Sequence, residues 1–165
     1  MTRVSAGRRD LLAELDREAR RTGSLSAMHA KAIAERLGVH GTDYECIDIL
    51  DWTGPITAGE LARHLGLTAG AVTGLIDRLE QRGWVRRARD PSDRRKVIVE
   101  LAPQPALDAD AADVFGPLAI EMGDVNASYD DDQLAAIVNW LQRANAALER
   151  SIDRLRARPS RSAAR

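Results

Sequence analysis

The chain has one cysteine, Cys46, among 165 residues, so no internal disulfide framework can brace it, and a reducing compartment is expected. No apolar run approaches the roughly 20 residues that a membrane-spanning helix needs, and the opening MTRVSAGRRD lacks the hydrophobic core of a signal peptide. A cytoplasmic protein with no membrane partner is therefore expected. The three histidines, His29, His40 and His64, show no i, i+4 pairing and have no cysteine beside them, which argues against a metal site. A nucleophile elbow, a phosphate-binding glycine loop and a paired His and carboxylate spacing are all missing, so no catalytic residue, no cofactor and no enzymatic role are expected. The formal net charge of -1 and pI near 6.3 exclude an overall basic protein.

What is present is an ordinary hydrophobic content, 44%, enough for one core, and one domain over residues 1–165 is expected. Charge is unevenly placed. Gln104 to Ala135 holds eight acidic residues and no Lys or Arg, while positive charge gathers in both tails and between Arg82 and Lys96, where seven Arg or Lys face two Asp. Such a polarised molecule would turn its basic edge toward a polyanion.

The stretch that organises the chain runs from Thr57 to Leu101. Thr57 followed by Glu60 predicts a capping box; Leu61, Ala62 and Leu65 give one apolar face, and Gly66 supplies a left-handed stop. Thr68 can cap a second helix at once. Val72, Leu75, Ile76 and Leu79 form its buried stripe and Gly83 ends it, leaving Ala69, Gly70, Thr73, Gly74, Asp77 and Gln81 on the opposite, small-sided face. Two helices joined by a tight glycine turn, the second with its N-terminal half turned outward, is a layout that can place a recognition helix in a major groove. Two β-prone runs follow, Trp84 to Arg89 and Lys96 to Leu101, the second alternating Val97, Val99 and Leu101 against Lys96, Ile98 and Glu100. Asp90, Pro91, Ser92 and Asp93 between them are turn formers, which predicts a hairpin with a charged tip suited to phosphate or a narrow minor groove.

Three motifs in this order, LARHLGLT at Leu61 to Thr68, LIDRLEQRGWV at Leu75 to Val85 and RDPSDRR at Arg89 to Arg95, resemble the winged helix-turn-helix of the MarR family of transcriptional regulators. The resemblance spans about residues 24–156, with 57–101 as the winged helix-turn-helix. It implies a mainly α fold with a small β-wing, in which N-terminal helices (8–37) and C-terminal helices (105–156) of two subunits interleave into a homodimer, leaving 1–7 and 157–165 as flexible tails. A short strand at Ile56 and Thr57 would join the hairpin sheet. The implied partner is double-stranded DNA carrying a pseudo-palindromic operator, and the implied role that of a repressor. The implied DNA-binding residues are Thr68, Ala69, Gly70, Thr73, Gly74 and Arg78 on the second helix and Arg87, Asp93, Arg94, Arg95 and Lys96 in the wing. The family pattern maps Arg95 onto the arginine that enters the minor groove, with Asp93 orienting it and Arg94 meeting phosphate. Arg86, Arg87 and Arg89 are equally readable as phosphate contacts or as solvated charge. Because Ala69, Gly70 and Gly74 stand where longer polar side chains could read bases, specificity would lean on DNA shape.

Elsewhere, Leu11, Leu12 and Leu15 begin a helical stripe reaching about Arg21, Thr22 to Ser24 predict a break, and a further helix is expected from Leu25 to Leu37. Thr42 and Glu45 suggest a capping box for a helix with Tyr44, Cys46, Ile47 and Leu50 facing inward, closed by Gly54 and Pro55. After Ala102 to Pro105 a helical stripe runs from Leu107 to Met122 with Pro117 expected to bend it. Asp130 with Gln133 caps a last helix whose stripe, Leu134, Ile137, Val138, Leu141, Ala144, Leu148, Ile152 and Leu155, exceeds what a small core needs. Many relatives in this family release DNA on binding a small phenolic or aromatic compound; Met28, His29, Tyr44, Trp52 and Phe115 are the side chains available to line such a site, or else ordinary core. Two further readings stand beside the DNA-binding regulator: a winged-helix module that binds protein, and a regulator that senses redox state through Cys46, which is more often a buried small hydrophobe.

Overall fold

A computed structural model describes residues 6–89, 96–103 and 109–157. The chain divides into two compact units, Met1–Val114 and Phe115–Arg165. The first begins with α1 (Ala6–Arg36) and α2 (Gly41–Thr53), followed by β1 (Ile56–Thr57), α3 (Ala58–Leu65) and α4 (Ala69–Gln81), and then β2 (Val85–Arg89) and β3 (Val97–Leu101). Helix α5 (Ala109–Ala127) crosses into the second unit, which also holds α6 (Asp131–Arg156).

Helix α1 corrects two expectations. It runs unbroken through Thr22, Gly23 and Ser24, and it already includes Gly7, the last residue of the expected flexible tail. A single glycine costs a helix only about 1 kcal/mol, and local contacts offset it. Arg17 bonds Glu14, Arg20 bonds Asp16, Arg21 pairs with Glu18 at 3.5 Å, and the Ser24 hydroxyl donates to the Arg20 carbonyl at 3.2 Å. The Thr42 and Glu45 capping box is also absent. Helix α2 starts two residues earlier with His40 at the N-cap and no side-chain cap, and the first-turn carboxylate Asp43 is buried instead of capping. Cys46 and Leu50 face inward as expected, whereas Tyr44 and Ile47 are half-buried.

The next elements form as their sequence demands. The Thr57 hydroxyl accepts from the Glu60 N–H at 3.2 Å, and the Glu60 carboxylate accepts in return from the Thr57 N–H at 2.9 Å, so two orphan donors of α3 are satisfied at once. Gly66 ends α3 at φ 68°, in the left-handed region where a side chain would be strained. Thr68 caps α4 through the Ala71 N–H, and Gly83 turns the chain at φ 71° so that the Trp84 N–H reaches back to the Leu79 carbonyl at 3.0 Å.

The sheet has the order β1-β3-β2 and is antiparallel throughout, with Ile56 opposite Val99, Arg86 opposite Glu100 and Arg87 opposite Val99. The two-residue strand at Ile56 and Thr57 is thus present. The core lies between this sheet and α2 to α4: Leu50, Leu61, Leu75, Ile76, Leu79, Val85 and Val99 are all but inaccessible and Cys46 and Trp84 complete the cluster. At about 1.5–3 kcal/mol for each large apolar side chain removed from water, this cluster is what fixes α4 against the sheet. The expected alternation in β3 fades toward the hairpin end, where Val97 is 47% exposed.

In the second unit α5 continues through Pro117. Helix α6 has the expected capping box, with the Gln133 N–H donating to the Asp130 carboxylate at 2.8 Å and the Gln133 side chain returning to the Asp130 N–H at 3.0 Å. It is 26 residues long, about 39 Å, and none of its residues is buried. No helix among the described residues is long and apolar enough to cross a membrane.

Candidate nucleic-acid interface

Helix α4 presents the face that the sequence singled out. Val72, Leu75, Ile76 and Leu79 are buried, while Thr68, Ala69, Gly70, Thr73, Asp77 and Gln81 are exposed and Gly74 is half-covered. Two of the hydroxyls offered as contacts have internal duties. Thr68 accepts from the Ala71 N–H at 3.3 Å, and the Thr73 hydroxyl donates to the Ala69 carbonyl at 2.8 Å, which turns its proton inward and leaves its methyl and lone pairs for an outside partner. A Cβ placed on Gly70 would meet nothing within 4 Å, so nothing inside the protein requires a glycine there.

Arg78 is bound to the fold. Its Nη2 donates to Asp43 Oδ1 at 2.7 Å and its Nη1 to the Gly74 carbonyl at 3.3 Å, although half of the side chain stays exposed. The Asp43 hydrogen bond raises the guanidinium pKa further. Sequence reading missed Asp43, because nothing along the chain distinguishes an acidic residue in the first turn of α2 from an ordinary helix-end charge. Only its burial marks it as an anchor, tying α4 to α2. Arg82, four residues on, donates to the Gly38 carbonyl at 3.2 Å and lies 5.8 Å over the Trp84 ring.

The basic hairpin is less basic in space than in sequence. Counting from Arg82 to Lys96 leaves out the carboxylates that the fold brings to it. Arg86 donates to Glu100 across the strands at 2.6 Å, and Arg87 donates to Asp77 at 2.5 Å and also to Glu80. The Asp77 bond, then Glu80, raise the Arg87 pKa. Arg87 is therefore an intramolecular ion-pair residue as well as a wing cation. Arg89 and Lys96, at the far end of the two strands, are exposed. Asp93, Arg94 and Arg95 lie outside the described residues.

The residues suggested for a small ligand do not all behave as core. Met28 is 67% and Trp52 58% exposed, His29 is exposed, Tyr44 is half-buried, and Phe115 belongs to the second unit. Trp52 meets the His64 ring edge to face at 5.4 Å. Burial, and then the nearby Asp48 and Asp51, raise the Tyr44 hydroxyl pKa. A groove of about 870 Å³ runs along α6, lined by Trp140, Arg143, Arg150 and several alanines, and none of these five residues borders it. Cys46 is fully buried, and burial followed by the Asp43 charge pushes its thiol up to about 12, the opposite of a reactive thiolate.

With this geometry in place, likeness to known proteins decides the family. The MarR family model matches residues 39–97, which span α2 to the start of β3. The HTH-type transcriptional regulator YcgE of Bacillus subtilis, itself uncharacterized, is 37% identical over 137 residues, covering 83% of this chain and 88% of that protein. The chain belongs to the MarR family. It is accordingly a DNA-binding transcriptional regulator and not an enzyme. A shorter match, 36% over 70 residues, joins 42% of the chain to 49% of the multiple antibiotic resistance protein MarR of Salmonella typhimurium. Among solved structures, the fold is similar to a MarR family protein from Bacillus stearothermophilus (TM-score 0.57, 20% identity, 86% of this chain and 97% of that one). It is also similar to the Thermotoga maritima transcriptional regulator Tm0710 (TM-score 0.56, 20% identity, 86% and 98%). This MarR-family fold is mainly α with a small three-stranded wing.

Proposed function

We propose that this MarR-family regulator acts in the cytoplasm as a homodimeric repressor on a pseudo-palindromic, double-stranded operator, reading it with the exposed small-sided face of α4 and with the wing. The observation that carries the reading is that face: α4 is anchored on one side by Val72, Leu75, Ile76 and Leu79 and on its flank by Arg78 to Asp43, yet it leaves Ala69, Gly70 and Thr73 open. A core helix would have no use for such exposure. A structure of reduced AbfR bound to DNA has a comparable fold (TM-score 0.50, 24% identity), which supports duplex DNA as the partner. Arg95 would enter the minor groove with Asp93 orienting its guanidinium, while Arg94, Arg89 and Lys96 would meet phosphate.

The dimer is supported by α6, where Ile137, Val138, Leu141, Leu148, Ile152 and Leu155 are all at least 40% exposed in one chain. An apolar stripe of that extent suits an obligate interface, above about 2,000 Å². Two recognition helices related by a dyad would enter major grooves about one helical turn apart. In this reading the residues 1–165 form one functional domain per subunit, and a small aromatic or phenolic effector bound near Trp52, Tyr44, Met28 and His29 would shift the dimer off DNA.

Titration of salt against binding to a random duplex tests the core of this reading. A DNA-binding dimer gives a log-log slope of several units, and footprinting on a selected duplex gives two protected half-sites. A protein-interaction module would give neither. Redox control through Cys46 is disfavoured by its complete burial and raised thiol pKa.

A further inference from the structure

Asp77 and Glu80 pose a problem for a DNA-reading helix. Their side chains are 51% and 40% exposed on α4, one and nearly two turns beyond Thr73, where carboxylates would repel phosphate. The fold assigns both to one cation. Arg87 Nη2 donates to Asp77 Oδ1 at 2.5 Å, Nη1 donates to Glu80 Oε2, and the Arg87 backbone N–H donates to Glu80 Oε1 at 3.1 Å. Arg87 sits in the middle of β2, at the open edge of the β1-β3-β2 sheet, so this N–H has no neighbouring strand to receive it. Glu80 thus takes an edge donor, and the guanidinium closes a bridge to a second carboxylate one turn earlier on the helix.

On the inner side, Leu79, Val85 and Val99 already pack the β2–β3 hairpin against α4. Packing alone leaves a hairpin free to rock about that apolar seam. A three-bond clamp on the outer edge removes the freedom, because Arg presents its donors in a rigid fork. We propose that Arg87 is a positioning residue, which with Asp77 and Glu80 locks the β2–β3 hairpin at a set angle to α4 so that helix and wing meet the duplex as one rigid body, without itself touching phosphate. This rests on the DNA-binding reading above and adds a role for two acidic residues that the reading alone leaves unexplained.

The test uses the full chain with two probes, a duplex selected by the wild-type protein from a randomised pool and a random duplex, each titrated with salt. Asp77→Asn removes a negative charge beside the DNA-facing surface. If the carboxylate merely repels phosphate, this variant binds every duplex more tightly. If it is part of the clamp, binding to the selected duplex weakens by roughly three- to thirty-fold and the selected-to-random ratio falls. Arg87→Gln should weaken the selected duplex likewise while leaving the log-log salt slope unchanged, since no counterion release is lost; a phosphate ligand would lose about 0.9 from the slope. The double variant should be no weaker than Arg87→Gln alone. Tighter or unchanged binding by Asp77→Asn, or a reduced slope in Arg87→Gln, overturns the clamp, and thermal melts of both variants separate it from general unfolding. Failure of the wild-type protein to select any duplex would instead remove the DNA-binding reading and the function of the clamp with it.

Discussion

Helices α4 and α6 are both exposed, and for opposite reasons. On α4 the apolar stripe is buried and the outward face is small and polar, with its caps closed and its charges committed to neighbours. On α6 the caps are as well formed, but the apolar stripe itself is the exposed part, with Ile152 44% and Leu155 69% accessible. A hydrated polar face costs little to leave in water, whereas a stripe of aliphatic side chains does not. The first therefore suits a partner met transiently across a wet, charged surface, and the second a partner that stays.

The strongest way to break this contrast is to place charge in the α6 stripe. Leu141→Asp with Ile152→Asp should abolish the dimer, read as a halving of the mass in light scattering at micromolar concentration. A wild-type protein that is already monomeric there would remove the contrast altogether. Next in size is the anchor of α4. Arg78→Met leaves Asp43 buried without its cation and should cost about 1–3 kcal/mol of stability in urea unfolding. Asp43→Asn should cost less, because the freed Arg78 can reach water; the reverse order would mean that the pair is not what anchors the helix.

Arg95→Ala, a sequence-based expectation, should cost about 1–3 kcal/mol of specific affinity and relax preference for A·T-rich flanks, with little loss on random duplex. An unchanged specific-to-random ratio would refute it. Gly70→Ala is smaller and has two signs. Filling open space in the first turn of α4 should raise stability by at most about 0.5–1 kcal/mol, while the added methyl should weaken DNA binding if this face approaches the duplex closely. A gain in both would place Gly70 outside the contact.

The smallest effects are those of pH. The Thr57 N–H, then the Thr57 hydroxyl, hold the Glu60 carboxylate below its usual range, so the cap contributes above the unfolded carboxylate pKa and is lost as pH falls through the depressed folded value. Cys46 behaves in the opposite sense. Its folded pKa is raised, so the folded state keeps a proton that the unfolded chain sheds, and stability should decline as pH climbs from about 9 toward about 12. Alkylation of the native thiol at pH 8 should be far slower than in denaturant; equal rates would mean that Cys46 is accessible.

Much of the fold was legible because its signals are local. A threonine and a glutamate three residues apart, a glycine at a left-handed turn and a four-residue apolar stripe act within one or two turns, so the boundaries of α3 and α4, the cap of α6 and the strands around the hairpin could be read without knowing the rest. The break expected at Thr22 to Ser24 failed because helix propensity is a weak force that ion pairs one turn away can outweigh. The Thr42 cap failed because Asp43 was drawn inward by Arg78, 35 residues distant.

The sequence by itself determined which faces exist, since periodicity and capping depend on neighbours along the chain. Tertiary structure alone decided which charges remain available. Arg78, Arg86 and Arg87 look alike along the chain as candidate DNA contacts, but electrostatic partners are chosen by distance in space, and folding hands each of them a carboxylate from another element.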